Sequence, residues 1–287
     1  MKICWFNEDR LGVIVDGALR DVSAALTVLP ARSYPAYVGD LLIAHLDAVR
    51  SEIERVLPQA PVVDLQSVRL GSPVAQTGKI IGVPVNYQKH VEEANADVAT
   101  FTGRYTGGIL EQGLFIKASS SLIGCSEAVR LTMPDRLTHH ELELGVIIGK
   151  KTRNVSASEA LGCIAGYAIA LDMTVRGPED RSLRKSLDTY SVLGPWLVTA
   201  DEIADPQALN MKLTVNGETR QETNTSQMIL YIAEQIEWAS RFYTLYPGDI
   251  IMTGTCEGVG PVVAGDLMHA EIEGVGAMDV RVLSAEA

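Results

Sequence analysis

In residues 138–150, THHELELGVIIGK, two carboxylates stand two positions apart, Glu141 and Glu143. Side chains alternate along a strand, so both acids share one face while Leu142, Leu144 and Val146 take the other. Their α-carbons are then about 6.6 Å apart. Like charges that close repel, and burying them without a partner is costly. One reading is an edge strand with a solvated acidic face. The other is that the face enters the interior, because Gly145 and Ile147 continue it. A second apolar stretch, GYAIALDMTV, carries Asp172 alone among Ala, Ile, Leu, Met and Val, and a lone acid there calls for a cation. Three carboxylates from two strands, with no Cys and no His-x-His pattern beside them, make a hard oxygen set. That set suits Mg2+, Mn2+ or Ca2+ rather than zinc. His139 and His140 precede the acids; either could be a ligand, but the turn before the strand is their expected place.

The chain that must position these groups has 287 residues, 47% hydrophobic and 21% charged, enough for one large domain or two modest ones. Its formal net charge of -12 argues against nucleic acid and anionic membranes as partners. An anionic small-molecule substrate would have to be held by local Arg, Lys or metal. No apolar run reaches membrane-spanning length, and the N-terminus MKICWFNEDRLGV lacks a signal-peptide core, so a cytoplasmic location is expected. Four scattered cysteines, Cys4, Cys125, Cys163 and Cys256, fit reduced buried thiols.

The first twenty residues predict a small antiparallel meander (KICWF, LGVIVDG, ALRDV), and residues 37–57 an amphipathic helix. Prolines 58, 61 and 73 punctuate the connecting stretch. We therefore expect a small N-terminal β/α domain over 1–72 and a catalytic domain over 73–287. Downstream the pattern is α+β and β-rich, mostly antiparallel with peripheral helices. Ser156 and Glu159 have capping-box spacing, Asn216-Gly217 suits a type I′ hairpin, and residues 226–245 form a second amphipathic helix. Between residues 91 and 113 the chain has the composition of a lid.

Seven motifs occur in order: IGVPVNYQKHVEE, FIKASSSLIG, ELELGVIIGK, AGYAIALDMTVR, RKSLDTYSVLGPWLVT, VNGETRQETNT and YPGDIIMTGTCEGVG. Together they make roughly residues 78 to 283 resemble the fumarylacetoacetate hydrolase family, in particular its small bacterial acylpyruvate hydrolase-like members. The resemblance implies a mixed β-roll catalytic domain, usually a homodimer. It implies one divalent cation, Mg2+ first with Mn2+ or Ca2+ as alternatives, on Glu141, Glu143 and Asp172. It further implies that His90 activates a water with Glu93, one helical turn on, orienting it; Glu92 is the rival partner. By the same resemblance Lys185 and Arg176 stabilise an oxyanion or grip a substrate carboxylate, and Thr225 and Thr255 hydrogen-bond the substrate. Lys117 in FIK lines the site or anchors its strand, and Arg184 is a solvated surface cation.

Two positions depart from the family pattern. Glu179 stands where many members have a Gln donor, and Cys256 replaces the Pro of TGTP, loosening the loop beside Thr255. The implied reaction is hydrolytic cleavage of a carbon–carbon bond in a 2,4-dioxo acid of the acylpyruvate or fumarylpyruvate type, in aromatic catabolism. The same site could serve a 2-oxo acid decarboxylase or an isomerase, acting on oxaloacetate or 2-hydroxyhepta-2,4-diene-1,7-dioate types. A binding protein without turnover is the alternative from another class.

Overall fold

Two antiparallel strands, Leu142–Ile148 and Ile164–Asp172, form the centre of the molecule and are buried along their whole length. The coordinates are a computed structural model that describes residues 1–31, 34–35, 37–97, 100 and 109–285. Register pairs Leu142 with Leu171 and Glu143 with Ala170. Glu141 therefore stands opposite Asp172, whose N–H donates to the Glu141 carbonyl at 2.9 Å. Leu142, Leu144, Val146, Ile169 and Leu171 pack into one core cluster, while Ile147, Ala168 and Ala170 pack into a second on the other face. Alternation puts Glu141, Glu143 and Asp172 on that second face, at one end of the strand pair. The neighbouring positions there are small by necessity, since a Cβ on Gly145 would lie 2.8 Å from Leu193 Cδ1.

The pair sits inside an eleven-stranded sheet. On one side follow Ser191–Thr199, Lys2–Phe6, Arg10–Val15, Ala18–Asp21 and Val62–Val63; on the other, Ile250–Met252, Ile80–Gly82 and Phe115–Lys117. Leu122–Ile123 adds to Ser191–Thr199 in parallel. The N-terminal meander forms as expected, and its first strand pairs antiparallel with Ser191–Thr199. It thus extends the main sheet. A five-stranded sheet (Glu218–Asn224, Asn210–Val215, Leu267–Ile272, Gly276–Ser284, Val129–Leu131) packs nearby, and a three-stranded one joins Thr174–Val175, Thr138–His140 and Gly260–Val262. This is the β-rich α+β architecture the sequence predicts. No helix among the described residues is long and apolar enough to cross a membrane.

Several local expectations shift for identifiable reasons. The helix expected over 37–57 is two, Leu41–Ala44 and Leu46–Val56, divided at His45. Asp40 caps the first through Ile43 N, and its other oxygen accepts Ala75 N and Gln76 N, which ties the connecting segment down. The helix after Ser156 is only Ala157–Ala160, because the Ser156 hydroxyl donates to the Glu159 carboxylate instead of capping the backbone. The helix expected over 226–245 is confined to Ile232–Phe242, where Glu234 accepts Tyr231 N. Asn216 and Gly217 have φ of 52° and 82°, as a type I′ turn requires. Of the expected lid, Gln88–Ala96 and Ile109–Gln112 are helical, whereas 98–99 and 101–108 lie outside the described residues.

Gly166, in the strand that ends at Asp172, approaches backbone so closely that a Cβ would be 2.1 Å from Val198 O. Gly166→Ala is expected to destabilise the protein by about 1–3 kcal/mol. Gly162→Ala, with nothing within 4 Å, should leave stability level or slightly higher. Thermal melts of both variants decide; equal melting temperatures would contradict this packing.

Candidate metal centre

One carboxylate oxygen from each of Glu141, Glu143 and Asp172 lies within 4.8 Å of the others, and all three side chains are buried. Two bonds of about 2.1–2.6 Å to a shared hard cation span that separation. The acidic face of the strand is therefore interior, and the solvated-edge reading is overturned. The crowding is already partly offset by cations. Lys185 Nζ donates to Glu141 Oε2 at 2.8 Å, Asp172 Oδ2 at 2.6 Å and Thr174 Oγ1 at 2.6 Å, which commits all three ammonium protons. Arg176 donates to Glu141 Oε1 at 2.8 Å. Lys117, fully buried, bonds Asp172 and the Tyr190 carbonyl.

Burial alone would raise the Glu141 carboxyl, yet the attraction of Lys185 and Arg176 overcomes it and holds that group well below the usual range. Glu143 behaves oppositely. Burial, together with repulsion from Asp172, pushes its carboxyl well above the usual range. Among the described residues it accepts a hydrogen bond only from Gly254 N, at 2.7 Å. Burial lowers the Lys117 ammonium despite its bond to Asp172. For Lys185 the same desolvation is outweighed by Asp172 and Glu141, so its ammonium is raised. A hard oxygen donor set with one carboxylate lacking a cation contact fits a divalent ion, with Glu143 the ligand that gains most from it.

Around the acids is a space of about 30 Å³, the share of one water molecule, walled by Val85, His90, Phe115, Arg176, Arg181, Arg184, Lys185 and Thr255 among others. A larger groove of about 980 Å³ beside Trp5, Tyr37 and Arg69 contains none of these site residues. His90 lies on the helix Gln88–Ala96, and its Nδ1 is 2.9 Å from Glu93 Oε2. Glu93 Oε1 accepts Gly258 N, so the carboxylate is fixed at both oxygens. Glu92 instead accepts from Gln88. The loop opposite is held by Asn86, whose amide donates to Thr253 O and Leu230 O. Gly254 there has φ of 98°, and a Cβ on it would meet Asn86 Cβ at 2.5 Å. Val85, on the cavity wall, is held at φ 45°, a strained value for a β-branched residue.

The structure brings nearly all the predicted site residues together, with some corrections. Thr255 reaches the cavity wall, but its hydroxyl donates to Leu142 O and accepts from Gln221 Nε2. Thr225 is not part of the cavity wall; its hydroxyl accepts Leu209 N, which fixes the start of a 3-10 turn. Arg184 is not a solvated cation, because it is half-buried and donates to the carbonyls of Glu179 and Val175. Glu179 pairs with Arg136 at 2.8 Å instead of facing an oxyanion. His139 and His140 are buried strand residues, not turn residues. Burial lowers them to about 3 and about 4, so both are neutral near pH 7. Cys256 is buried and its carbonyl accepts from Gln221, so the loop it replaces Pro in is tied. All four cysteines are free and buried. Gln221, unnoticed in the sequence, is the hub of that corner: Oε1 takes Leu142 N and faces His140 Nδ1, and Nε2 serves Thr255 and Cys256.

Residues 79–283 match the family described as "Fumarylacetoacetate (FAA) hydrolase C-terminal", and the chain belongs to that family. It is 54% identical over 286 residues to a maleylpyruvate hydrolase of Aquipseudomonas alcaligenes, covering 99% of this chain and 100% of that one. It is 37% identical to a 2,4-didehydro-3-deoxy-L-rhamnonate hydrolase of a Sphingomonas species, over 96% and 94% of the two chains. The crystal structure of maleylpyruvate hydrolase from Sphingobium sp. SYK-6 in complex with manganese(II) and pyruvate superimposes with a TM-score of 0.84 at 40% identity, covering 99% of each chain.

Glu143→Gln preserves shape and removes the one carboxylate charge of the three that, among the described residues, is in no ion pair. It is expected to weaken Mn2+ binding by at least about 100-fold, roughly 2.7 kcal/mol, with the metal-free melting temperature unchanged or raised. Titration calorimetry beside thermal melts checks this, and unchanged Mn2+ affinity would remove Glu143 from the ligand set.

Proposed function

We propose that this chain is a divalent-metal-dependent hydrolase that cleaves a carbon–carbon bond in an acylpyruvate, a 2,4-dioxo acid of the kind produced by aromatic-ring cleavage. The observation that carries the reading is the buried triad Glu141, Glu143 and Asp172 beside the His90–Glu93 pair, in a chain 54% identical to a maleylpyruvate hydrolase. A bound divalent ion supplies Lewis acidity to the dioxo head of the substrate. We assign it to Glu141, Glu143 and Asp172, with Mg2+ or Mn2+ as the native ion.

His90 is the base. With Nδ1–H donated to Glu93, Nε2 takes a proton from water, and the carboxylate stabilises the imidazolium. Hydroxide adds to the C4 carbonyl, the C3–C4 bond breaks, and the proton returns to C3. The products are pyruvate and a second acid. Arg176 and Lys185 face the developing oxyanion, Lys185 doing so by exchanging one of its present carboxylate contacts. Thr255, its hydroxyl hydrogen given to Leu142 O, contributes to substrate binding through its place on the cavity wall. Residues 1–72 serve as a small N-terminal unit on the main sheet. Family resemblance supports a homodimer, and four buried reduced thiols support a cytoplasmic location.

With Mn2+ or Mg2+, the purified protein is expected to convert at least one acylpyruvate of a panel into equimolar pyruvate and acid. Release of CO2, mass-conserving isomerisation or no turnover across the panel contradicts the proposal. His90→Ala should lower kcat by about 10²–10⁴ while Mn2+ affinity, read by calorimetry, stays put.

A further inference from the structure

Among the described residues, the wall of the cavity holds three carboxylates, Glu141, Glu143 and Asp172, and four cations, Arg176, Arg181, Arg184 and Lys185. Positive side chains thus outnumber acids on the described wall, in a chain whose formal net charge is -12. Most of these cations have an evident local task. Arg176 and Lys185 bond the acids, and Arg184 bonds two backbone carbonyls. Arg181 differs from them. Among the described residues it makes no salt bridge, and its polar neighbour is Gln112 Oε1 at 3.5 Å.

Its guanidinium is nevertheless held in place. Arg181 and Lys185 are four apart on the helix Arg181–Lys185, so they share one face about one turn, or 5.4 Å, apart. Both heads rest against the ring of Phe115, Arg181 at 5.4 Å and Lys185 at 5.1 Å from its centroid. That ring is seated on Gly82, where a Cβ would come within 2.0 Å of Phe115 Cζ. Asp180, the helix N-cap, spends its carboxylate on Ser182 N and Oγ rather than on Arg181. A fixed guanidinium one helical turn from Lys185, on the wall of a site whose acids would hold the metal that takes the substrate's head, is placed to take a second anionic group.

We infer that Arg181 receives the far carboxylate of a dicarboxylic acylpyruvate and sets a preference for diacids over monoacids. This deepens the hydrolase reading and rests on it for where the dioxo head sits. Arg181 is a specificity residue: it meets the substrate end remote from the bond that breaks, and the planar fork of Arg suits a carboxylate.

The test uses ligands that bind without being cleaved. 2-Oxoheptanedioate and 2-oxoheptanoate share the 2-oxo acid head and chain length, lack the 4-oxo group, and differ in the far carboxylate. Calorimetry on the full-length protein with Mn2+ is expected to show the diacid binding at least about tenfold tighter. Arg181→Gln should erase that preference by weakening the diacid alone, and Arg181→Lys should restore part of it. Undiminished monoacid affinity in each variant shows that the site is intact. No preference in the unaltered protein, or one that survives both substitutions, overturns the inference. Neither result depends on turnover, so a failure of the hydrolase reading, seen as no cleavage of any acylpyruvate, is separately visible.

Discussion

Everything in the site depends on how three buried carboxylates tolerate one another. Lys185 bridges Glu141 and Asp172, Arg176 adds to Glu141, and Lys117 adds to Asp172. Two of the three acids are therefore in ion pairs with protein cations, and Glu143, among the described residues, is in none and feels Lys185 only at longer range. Removing one partner of a buried ion pair typically costs about 3–5 kcal/mol, so this arrangement is self-consistent but sensitive at each member. It also divides the labour. The cations hold Glu141 and Asp172 in place and Glu141 ionised, while Glu143 is the carboxylate a divalent ion would serve most.

The rest of the fold supports that cluster. Antiparallel pairing of Leu142–Ile148 with Ile164–Asp172 sets Glu141 against Asp172, and the small residues Gly145, Ala168 and Ala170 let the sheet close beneath them. The short helix Arg181–Lys185 brings one cation inward, and the strand Phe115–Lys117 brings another. Asn86 and Gln221, both buried amides, lock the loop carrying Gly254 and Thr255 through bonds to backbone. Buried amides with every partner in place rigidify such a corner.

Much of this was legible in the sequence, because the relevant periods are short. His90 and Glu93, one helical turn apart, stood out only through the family resemblance, whereas two acids spaced by one residue fall on one strand face. The Asn216-Gly217 turn and the opening meander were readable for the same reason. What the sequence hides is long-range. Lys117 and Asp172 are 55 residues apart, and nothing in FIK says that its lysine is buried. His139 and His140 read as turn residues because their strand exists only through pairing with Thr174–Val175 and Gly260–Val262. Gln221 is one polar residue among many on Glu218–Asn224 and is buried only because the strand packs against the TGT loop. Arg184 looked like a surface charge, and Arg181 drew no notice, because a helix of five residues gives no periodicity to read.

The central claim is that Glu141, Glu143 and Asp172 jointly hold a single divalent ion. Crystals of the protein grown or soaked with Mn2+, with anomalous data collected above the manganese edge, test it directly. One strong peak is expected at about 2.1–2.3 Å from an oxygen of each of the three carboxylates, with Lys185 moved off at least one of them. A peak elsewhere, or none at saturating Mn2+ with Lys185 still bridging Glu141 and Asp172, would contradict the claim.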